Sequence, residues 1–431
     1  MQTYVGVDFG TTNSAVAIVD EQEELRVASF PMFGKSVQTF RSLLYFSFEK
    51  RDKEGYSKVS AGPEAIERYL EEDGMGRLIL SPKTSLASRT FDYTTILGKR
   101  YYLEDLVSII LNKLRFRSEE QLGELGKRAV VGRPVRYAYQ KTEADEEKAL
   151  HRMRLALERS GFEDVVFEFE PIAAAYAYES RLTQDERVLV ADFGGGTADF
   201  CIIDLGPNVR KRGRKDSDIL GTAGVAIAGD VFDSRVVHEF FSPHLGLGSE
   251  YRSEFDRILS VPIWPYKKLR QWYTVTLLQE PKTVNMLMDL ERRSFEPEKI
   301  EAFLDFIHGN LGFHLYHAVE GCKVELSSKE ESHFIFKELP KRIEGTLVRE
   351  QFEQWIQGDL EEIAKCCDGL FEKVGIPFDE IDRVFMTGGT SFVPAVRDIF
   401  AQRFGEEKIG SGNELTSVAS GLALRAKDLF G

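Results

Sequence analysis

Two segments of this chain are near-copies of each other, with their central Asp-Phe-Gly motifs 184 residues apart. The first runs from Val5 to Thr12 as VGVDFGTT, and the second runs from Leu189 to Thr197 as LVADFGGGT. Each is an apolar strand followed by a turn of Gly and Thr and then by a second apolar strand. A repeated strand–turn–strand unit predicts two similar lobes, each built on its own sheet.

The turn of each repeat has the composition of a phosphate-binding loop. Glycine lets the backbone approach a phosphate closely and adopt positive φ. Turn N–H groups and Thr hydroxyls can then donate to phosphate oxygens. The Asp at each strand end, Asp8 or Asp192, is placed to face the metal ion that accompanies phosphates. One such turn recurs by chance, whereas two copies in the same strand context favour a nucleotide gripped between two lobes.

Length, charge and cysteine content narrow the class of protein. The 431 residues predict two large domains. The formal net charge of −14 argues against general binding to nucleic acid or to an anionic membrane, because both require a basic face. The cysteines lack Cys-x-x-Cys spacing, and the chain shows neither a signal-peptide pattern nor a long apolar run. We therefore expect a cytoplasmic protein, and a monomer.

Strands alternate with helices along the chain, which predicts an α/β protein. A third strand leads into a glycine turn at Gly388-Gly389-Thr390. Two short helices, Ile172–Tyr178 and Val418–Leu424, are rich in small residues, so we expect them to approach each other closely and cross.

Taken together, these motifs resemble the nucleotide-binding domain of the 70-kilodalton heat-shock chaperones, the DnaK type, within the actin and hexokinase superfamily. Residues 6–14 resemble the first phosphate loop of that family, and residues 192–199 resemble its second. Residues 170–178 resemble the first connecting helix, and residues 388–390 resemble the adenosine loop. The resemblance implies a two-lobed actin-like ATPase fold of duplicated ribonuclease H-like mixed sheets, flanked by helices, with an extra subdomain in each lobe.

The resemblance also implies how the chain is divided. Lobe I is expected to contain residues 1–182 and 411–431, with a smaller subdomain inserted at about 36–103. Lobe II is expected to contain residues 183–410, with an enlarged, mostly helical subdomain at about 229–345.

Two features distinguish the chain from the family as a whole. Residues 241–309 are extra material. Trp264, Trp272 and Tyr273 within it could belong to a core or to an interaction surface, and of the two we expect a core. The family's substrate-binding domain and lid have no counterpart after Leu429, so we expect a chaperone-like protein without them.

The matching positions imply roles in binding ATP or ADP with Mg²⁺. Asp8 and Asp192 would hold the metal, mostly through water, because Mg²⁺ dehydrates reluctantly. Lys83 and Glu170 would act on the γ-phosphate, the attacking water or the metal, so the expected catalytic residues are Lys83, Glu170, Asp192, Thr197 and Asp8. The implied nucleotide-binding positions are Gly10, Thr11, Thr12, Asn13, Gly194, Gly195, Gly196, Thr197, Gly229, Glu320, Lys323, Ser327, Gly388, Gly389, Thr390 and Phe392.

The wall of the adenine pocket departs from the family pattern. The family has two arginines against the ring, and the matching positions here are Val324 and Phe392. Leu415 stands near a family Asp. An aromatic ring can stack on a base, so purine binding is still expected, while the strength of the preference for adenine is left open.

Several function classes are compatible with this pattern. The leading interpretation is slow Mg-dependent ATP hydrolysis, with lobe closure that regulates a protein partner or a client in a separate chain. One alternative is a small-molecule kinase of the same superfamily, with Asp199 as its base. Another is a nucleotide-gated interaction module without useful turnover. A filament-forming protein is disfavoured by the long charged insert.

Overall fold

Strands and helices alternate along the chain, which confirms the α/β prediction. The computed structural model describes residues 2–51, 57–72, 74–270, 272–411 and 415–431. Its strands are β1 Thr3–Asp8, β2 Asn13–Asp20, β3 Leu25–Val27, β4 Phe30–Met32, β5 Lys35–Val37, β6 Phe40–Arg41, β7 Leu43–Arg51, β8 Ser57–Ala61, β9 Gly76–Leu80, β10 Tyr93–Ile96, β11 Lys99–Tyr102, β12 Arg128–Arg133, β13 Asp164–Phe169, β14 Glu186–Phe193, β15 Ala198–Leu205, β16 Ile219–Val225, β17 Glu250–Arg252, β18 Ile258–Ser260, β19 Glu331–Phe336, β20 Ile343–Val348, β21 Arg383–Thr387 and β22 Ile409–Ser411.

Helices connect these strands, and none in the described ranges is long and apolar enough to cross a membrane. The α-helices are α1 Pro63–Glu71, α2 Leu103–Leu122, α3 Glu143–Arg159, α4 Glu170–Glu179, α5 Pro207–Lys211, α6 Gly229–Val236, α7 Trp264–Leu269, α8 Trp272–Val275, α9 Pro281–Arg293, α10 Pro297–His308, α11 Gly312–Leu326, α12 Arg349–Val374, α13 Pro394–Phe404 and α14 Ser417–Phe430. Short 3₁₀ helices include Pro82–Ser85 and Gly389–Phe392.

Two mixed sheets share one topology. The first has the order β13-β12-β1-β2-β3, with β6 also paired to β2, and the second has the order β22-β21-β14-β15-β16. In each sheet the strand that carries the Asp-Phe-Gly motif is antiparallel to the next strand of its repeat and parallel to the strand on its other side. The helices follow the same plan, because α3 joins β12 to β13 as α13 joins β21 to β22. The duplication that the sequence predicts is therefore present in the strand order.

The first sheet is covered on both faces, and the alternation of side chains along β1 shows how. Val5 and Val7 enter a core with residues of α2 and α3, whereas Tyr4 faces the other side, toward α4 and α14. Gly6 lies on that second side, where a Cβ would stand 2.3 Å from the backbone nitrogen of Ala423 in α14. Glycine at this position therefore lets α14 lie directly on the strand.

Helices α4 and α14 cross between the two sheets, as the small residues predict. Ala173, Ala174 and Ala419 are fully buried there, in a core shared with both sheets. A Cβ on Gly421 would stand 1.6 Å from the carbonyl oxygen of Ala173, so the two backbones are in direct contact. No side chain other than hydrogen fits at position 421.

Two compact units make up the chain. Unit 1 contains Met1–Gly229, Glu362–Ser391 and Val396–Gly431, and it includes both mixed sheets. Unit 2 contains Asp230–Glu361 and Phe392–Ala395. The lobe boundaries expected from the sequence stay a prediction.

Unit 2 is mostly helical, with apolar faces of ordinary spacing. In α10, Ile300, Phe303, Leu304 and Ile307 are buried, which is the i, i+3, i+4, i+7 pattern of a helix packed on one side. Two small antiparallel sheets, β17–β18 and β19–β20, accompany the helices, and the sequence reading did not anticipate them.

The enlarged part of unit 2 corrects one expectation. Trp264 begins α7 and is exposed, so its assignment to a core is wrong. Tyr266, two residues later, is the aromatic side chain that α7 buries, and its hydroxyl donates to the carbonyl of Leu245 at 2.9 Å. The side chains of Trp272 and Tyr273 lie outside the described part of the structure.

Replacing Gly421 by alanine tests the crossing of α4 and α14. We expect Gly421→Ala to lower the free energy of unfolding by about 1–3 kcal/mol, because the added methyl group must push the α4 backbone away. Urea denaturation measures the effect. Gly369→Ala is the matched control, since that glycine lies in α12 with open space around its Cβ position and should be neutral or slightly stabilising. Equal stability of the two variants would contradict the close contact.

Candidate functional site

The two predicted phosphate turns lie side by side within unit 1. A Cβ on Gly196 in the second turn would stand 3.3 Å from Oγ1 of Thr11 in the first. Both turns are tight. In the second turn the N–H of Gly194 donates to the carbonyl of Thr197 at 3.0 Å. In the first turn a Cβ on Gly10 would stand 2.0 Å from the carbonyl oxygen of Asn13. The structure therefore brings together the predicted residues of the two repeats.

The predicted adenosine loop lies against the second turn. Gly388 follows β21 with φ of 84°, and a Cβ there would stand 2.0 Å from the carbonyl oxygen of Phe193. The hydroxyl of Thr390 donates to the carbonyl of Gly194 at 3.1 Å. A glycine is required at position 388 both by its left-handed conformation and by this close approach.

A buried ion pair stands beside the turns. Lys83 lies in the 3₁₀ helix Pro82–Ser85, and Glu170 is the first residue of α4. The Nζ atom of Lys83 donates to Oε1 of Glu170 at 2.5 Å, and both side chains are buried. Burial by itself lowers the pKa of Lys83, but the charges of Glu170 and Asp8 outweigh burial and raise that pKa above its usual value. Lys83 is therefore a fixed positive charge.

The carboxyl groups at the strand ends hold their protons unusually well. Burial, and next the charge of Glu170, raise the pKa of Asp8 from 3.8 to about 7, against the opposing effect of Lys83. Burial and the charges of Glu170, Asp199 and Asp8 raise the pKa of Asp192 well above its usual value. These shifts indicate more negative charge in one buried place than Lys83 alone neutralises.

Asp199 is a further buried acid of this cluster. It stands directly opposite Asp192 in the β14–β15 ladder and accepts a hydrogen bond from the N–H of Val135 at 2.9 Å. Burial, and next the charge of Glu170, raise its pKa to about 7. Its other oxygen, Oδ2, is buried and accepts no hydrogen bond from any described residue. From the sequence, Asp199 is assigned only to the kinase alternative. Its position at the start of the second strand of the same repeat was the available clue to this site.

The cluster fits a hydrated cation. Asp8, Glu170, Asp192 and Asp199 face a single positive charge, and an acceptor oxygen of Asp199 has no partner among the described residues. No group of three or more His, Cys, Asp and Glu in the described ranges is arranged to ligate a metal ion directly. This donor set suits Mg²⁺, which usually keeps several of its waters and meets carboxylates through them.

The remaining predicted nucleotide positions lie mostly in unit 2. Gly229 begins α6 as the last residue of the first stretch of unit 1, whereas Glu320 and Lys323 lie on α11 in unit 2. Ser327 follows α11, and its hydroxyl donates to the carbonyl of Lys323 at 3.1 Å. Phe392, also in unit 2, is exposed.

Asp233 is the residue of this group that the sequence reading missed. Its Oδ1 atom stands 2.7 Å from Nζ of Lys323. Burial raises the pKa of Asp233 to about 6, although Lys323 lowers it, and the charge of Glu320 adds to the increase. Asp233 lies one helical turn after Gly229, and that spacing was the available clue.

Comparison with known proteins identifies a family. A family model described as "Hsp70 protein" matches residues 85–246 and 310–431, which is more than half of the chain. The two ranges leave residues 1–84 and 247–309 unmatched.

Curated relatives include "Chaperone protein DnaK" from Thermosipho melanesiensis and from Thermosipho africanus. Each is 26% identical over 436 aligned positions, which cover 99% of this chain and 59% of the relative. The chain thus spans about three fifths of the length of these relatives. The matched ranges contain Glu170, the second phosphate turn and the adenosine loop described above. The chain belongs to the Hsp70 family.

Proposed function

We propose that this chain is a chaperone-like ATP-binding domain that hydrolyses ATP slowly with Mg²⁺ and regulates a partner by closing its lobes. Family membership supports the chaperone-like ATP-binding part. The observation that carries the hydrolytic part is the placement of two facing Gly and Thr turns beside a buried Lys83–Glu170 pair and three acids of raised pKa. Phosphoryl transfer needs positioned charges of this kind rather than covalent chemistry.

Each residue has a distinct role in the proposal. Backbone N–H groups of the second turn and the Thr11 hydroxyl donate to phosphate oxygens, as Gly-rich turns do. Lys83 supplies positive charge toward the γ-phosphate, and Glu170 holds the lysine in place. Asp8 and Asp192 would hold Mg²⁺ through water, and the ion would supply charge that neutralises the phosphates.

Asp199 also supports the kinase alternative. A carboxyl group with a pKa of about 7 and an unpartnered oxygen suits a general base, whether the proton comes from water or from an acceptor hydroxyl. Incubation with ATP and a panel of small metabolites separates the two functions. ATP turnover that depends on an acceptor would favour a kinase, and turnover in buffer alone would favour an ATPase.

Removing one carboxylate tests the metal role. We expect Asp8→Asn and Asp192→Asn each to weaken Mg²⁺-dependent ATP hydrolysis about 10- to 100-fold while leaving the fold intact, because a group that orients metal-bound water has an effect of that size. Titration of single-turnover rates with Mg²⁺ measures the change. Asp164→Asn, on an exposed strand end of the first sheet, is the matched control and should behave as wild type. Wild-type turnover in both site variants would exclude the role.

Asp8→Asn has a second expected effect, on the stability of the protein without nucleotide or metal. The raised pKa of Asp8 means that its carboxyl group destabilises the fold as pH rises from about 4 to about 7, because the folded state gives up its proton less readily than the unfolded state. Asp8→Asn removes that loss, so its melting temperature should rise relative to wild type across this pH range. Thermal melts in chelator measure the difference. A variant less stable than wild type above pH 7 would contradict the electrostatic account.

Lys83→Ala tests the positive charge. We expect single-turnover hydrolysis to slow about 100-fold while ATP still binds, because the lysine acts more strongly on the transition state than on bound ATP. Since the substitution leaves Glu170 without its cation, the double variant Lys83→Ala with Glu170→Gln serves to separate loss of chemistry from loss of folding. Lys127→Ala, at an exposed ion pair, is the control. An unchanged rate in folded Lys83→Ala would exclude a role for Lys83 in hydrolysis.

Lobe closure is tested by small-angle X-ray scattering. We expect the radius of gyration to fall when ATP and Mg²⁺ are added, because ligand contacts favour one arrangement of the lobes over another. Asp8→Asn under the same conditions is the control and should keep the profile of the free protein. Identical scattering profiles of the wild type in the free, ADP and ATP states would rule out a large closure. They would not contradict the proposed ATP hydrolysis.

A further inference from the structure

One buried serine holds two carbonyl groups of the first phosphate turn. Ser42 lies between β6 and β7, outside both repeats and outside the predicted nucleotide-binding positions. Its hydroxyl donates to the carbonyl of Gly10 at 2.8 Å, and its N–H donates to the carbonyl of Thr12 at 2.9 Å. The hydroxyl oxygens of Ser42 and Ser14 are 2.8 Å apart, and Ser14 is the donor there because the one proton of Ser42 goes to Gly10. The turn is thus tied at two points to one residue outside it.

The second phosphate turn has the same contact, made by a different segment. Gly194 is the counterpart of Gly10, since each follows the Asp-Phe pair of its repeat. The hydroxyl of Thr390, in the predicted adenosine loop, donates to the carbonyl of Gly194 at 3.1 Å. Two segments of different sequence therefore supply a hydroxyl to the same carbonyl of the repeated turn, which indicates that the turn requires this carbonyl to be held.

The direction of a carbonyl fixes the direction of the N–H group beside it. A trans peptide group is planar, and its C=O and N–H bonds point in opposite directions. The carbonyl of Gly10 shares a trans peptide group with the N–H of Thr11, and the carbonyl of Thr12 shares one with the N–H of Asn13. Because both carbonyls point to Ser42, the N–H groups of Thr11 and Asn13 point away from it.

Arg41, the residue before Ser42, orients a side-chain donor of the same turn. It stands opposite Asn13 in the β2–β6 pairing, and its Nη1 atom donates to Oδ1 of Asn13 at 3.3 Å. A guanidinium group has donors and no acceptor, so the oxygen and not the NH₂ group of the Asn13 amide faces it. The NH₂ group of Asn13 is therefore directed away from Arg41.

Ser42 also joins the turn to the segment that carries Lys83. The N–H of Ser81 donates to the carbonyl of Ser42 at 2.9 Å. Ser81 immediately precedes the 3₁₀ helix Pro82–Ser85, in which Lys83 lies. The N–H and the carbonyl of Ser42 are thus bonded to two different parts of the site, and together they fix the phosphate turn and the lysine segment relative to each other.

We propose that Ser42 and Arg41 are positioning residues for a bound phosphate group. Ser42 holds two carbonyls away from the ligand, so that the N–H groups of Thr11 and Asn13 face it, and Arg41 turns the NH₂ group of Asn13 to the same side. Neither residue has to touch the nucleotide. The inference rests on the proposed ATP binding and adds to it the reason why the donors of the first turn are directed before a ligand arrives.

Substitution of Ser42 tests the backbone part of the proposal. Ser42→Ala removes the hydroxyl bond to Gly10 and keeps both backbone bonds, so we expect the affinity for ADP with Mg²⁺ to fall about three- to tenfold, the effect of one hydrogen bond. The affinity for adenosine, which has no phosphate, should stay unchanged. Ser42→Thr keeps a hydroxyl and should bind ADP more tightly than Ser42→Ala. Isothermal titration calorimetry measures the affinities, with adenosine in competition with ADP.

The matched control is Ser118→Ala. Ser118 is also buried, and its hydroxyl donates to the carbonyl of Leu114 at 2.8 Å within α2, so this variant should bind ADP as wild type does. Circular dichroism establishes that each variant is folded. An unchanged ADP affinity in Ser42→Ala overturns the proposal, as does an equal loss for ADP and adenosine, which a general disturbance of the fold would cause. Both outcomes leave the proposed ATP binding standing, whereas a wild-type chain that binds neither ADP nor ATP contradicts the proposed function itself.

A double-variant cycle tests whether Arg41 acts through Asn13. Arg41→Ala should lower the affinity for ADP about threefold in the wild-type chain and hardly at all in Asn13→Ala, because the amide that it orients is then absent. Arg26→Ala, at an exposed residue of β3 in the same sheet, is the control and should bind ADP as wild type does. Losses that multiply in the double variant would overturn the positioning role of Arg41 and assign its effect to its own charge.

Discussion

The direct contact between the backbones of α4 and α14 is the constraint on which the rest of unit 1 depends. Each helix is the last element of one repeat, since α4 follows β13 and α14 follows β22. Their crossing places Gly421 against the carbonyl of Ala173 and allows both helices to fill the space between the two sheets. Because α14 also lies on β1 at Gly6, the first Asp-Phe-Gly strand is held in register with the same crossing.

The crossing brings the ends of two equivalent strands together, and with them their acids. Asp8 and Asp192 occupy the same position in two sheets of identical order, so the arrangement that duplicates the fold also places like charges near each other. Lys83 comes from the 3₁₀ helix Pro82–Ser85, which is not a strand of either mixed sheet, and it pairs with Glu170 at the start of α4. The raised pKa values of Asp8, Asp192 and Asp199 follow from this geometry, and a bound cation would relieve the repulsion among their carboxylates.

How much could be predicted from the sequence depends on the range of the interactions involved. The paired sheets could be predicted because a strand, a glycine turn and a second strand are local features that the chain repeats. The pairing of Lys323 with Asp233 could not, because the two residues are 90 positions apart and only packing in unit 2 brings them together. Trp264 was misassigned because an aromatic residue next to buried Tyr266 has the composition of a core segment, and the direction in which each ring points is a tertiary property.

The unmatched range 247–309 extends unit 2, whereas both mixed sheets and the crossing helices lie in unit 1. Its formal charge of −1 over 63 residues is close to a proportional share of the chain's −14, so charge does not set it apart. Apolar packing ties it into unit 2, because Phe306 of α10 contacts Phe241 and Phe336, which lie outside the range. The placement of Asp8 and Asp192 therefore depends on the crossing of α4 and α14 and not on this range.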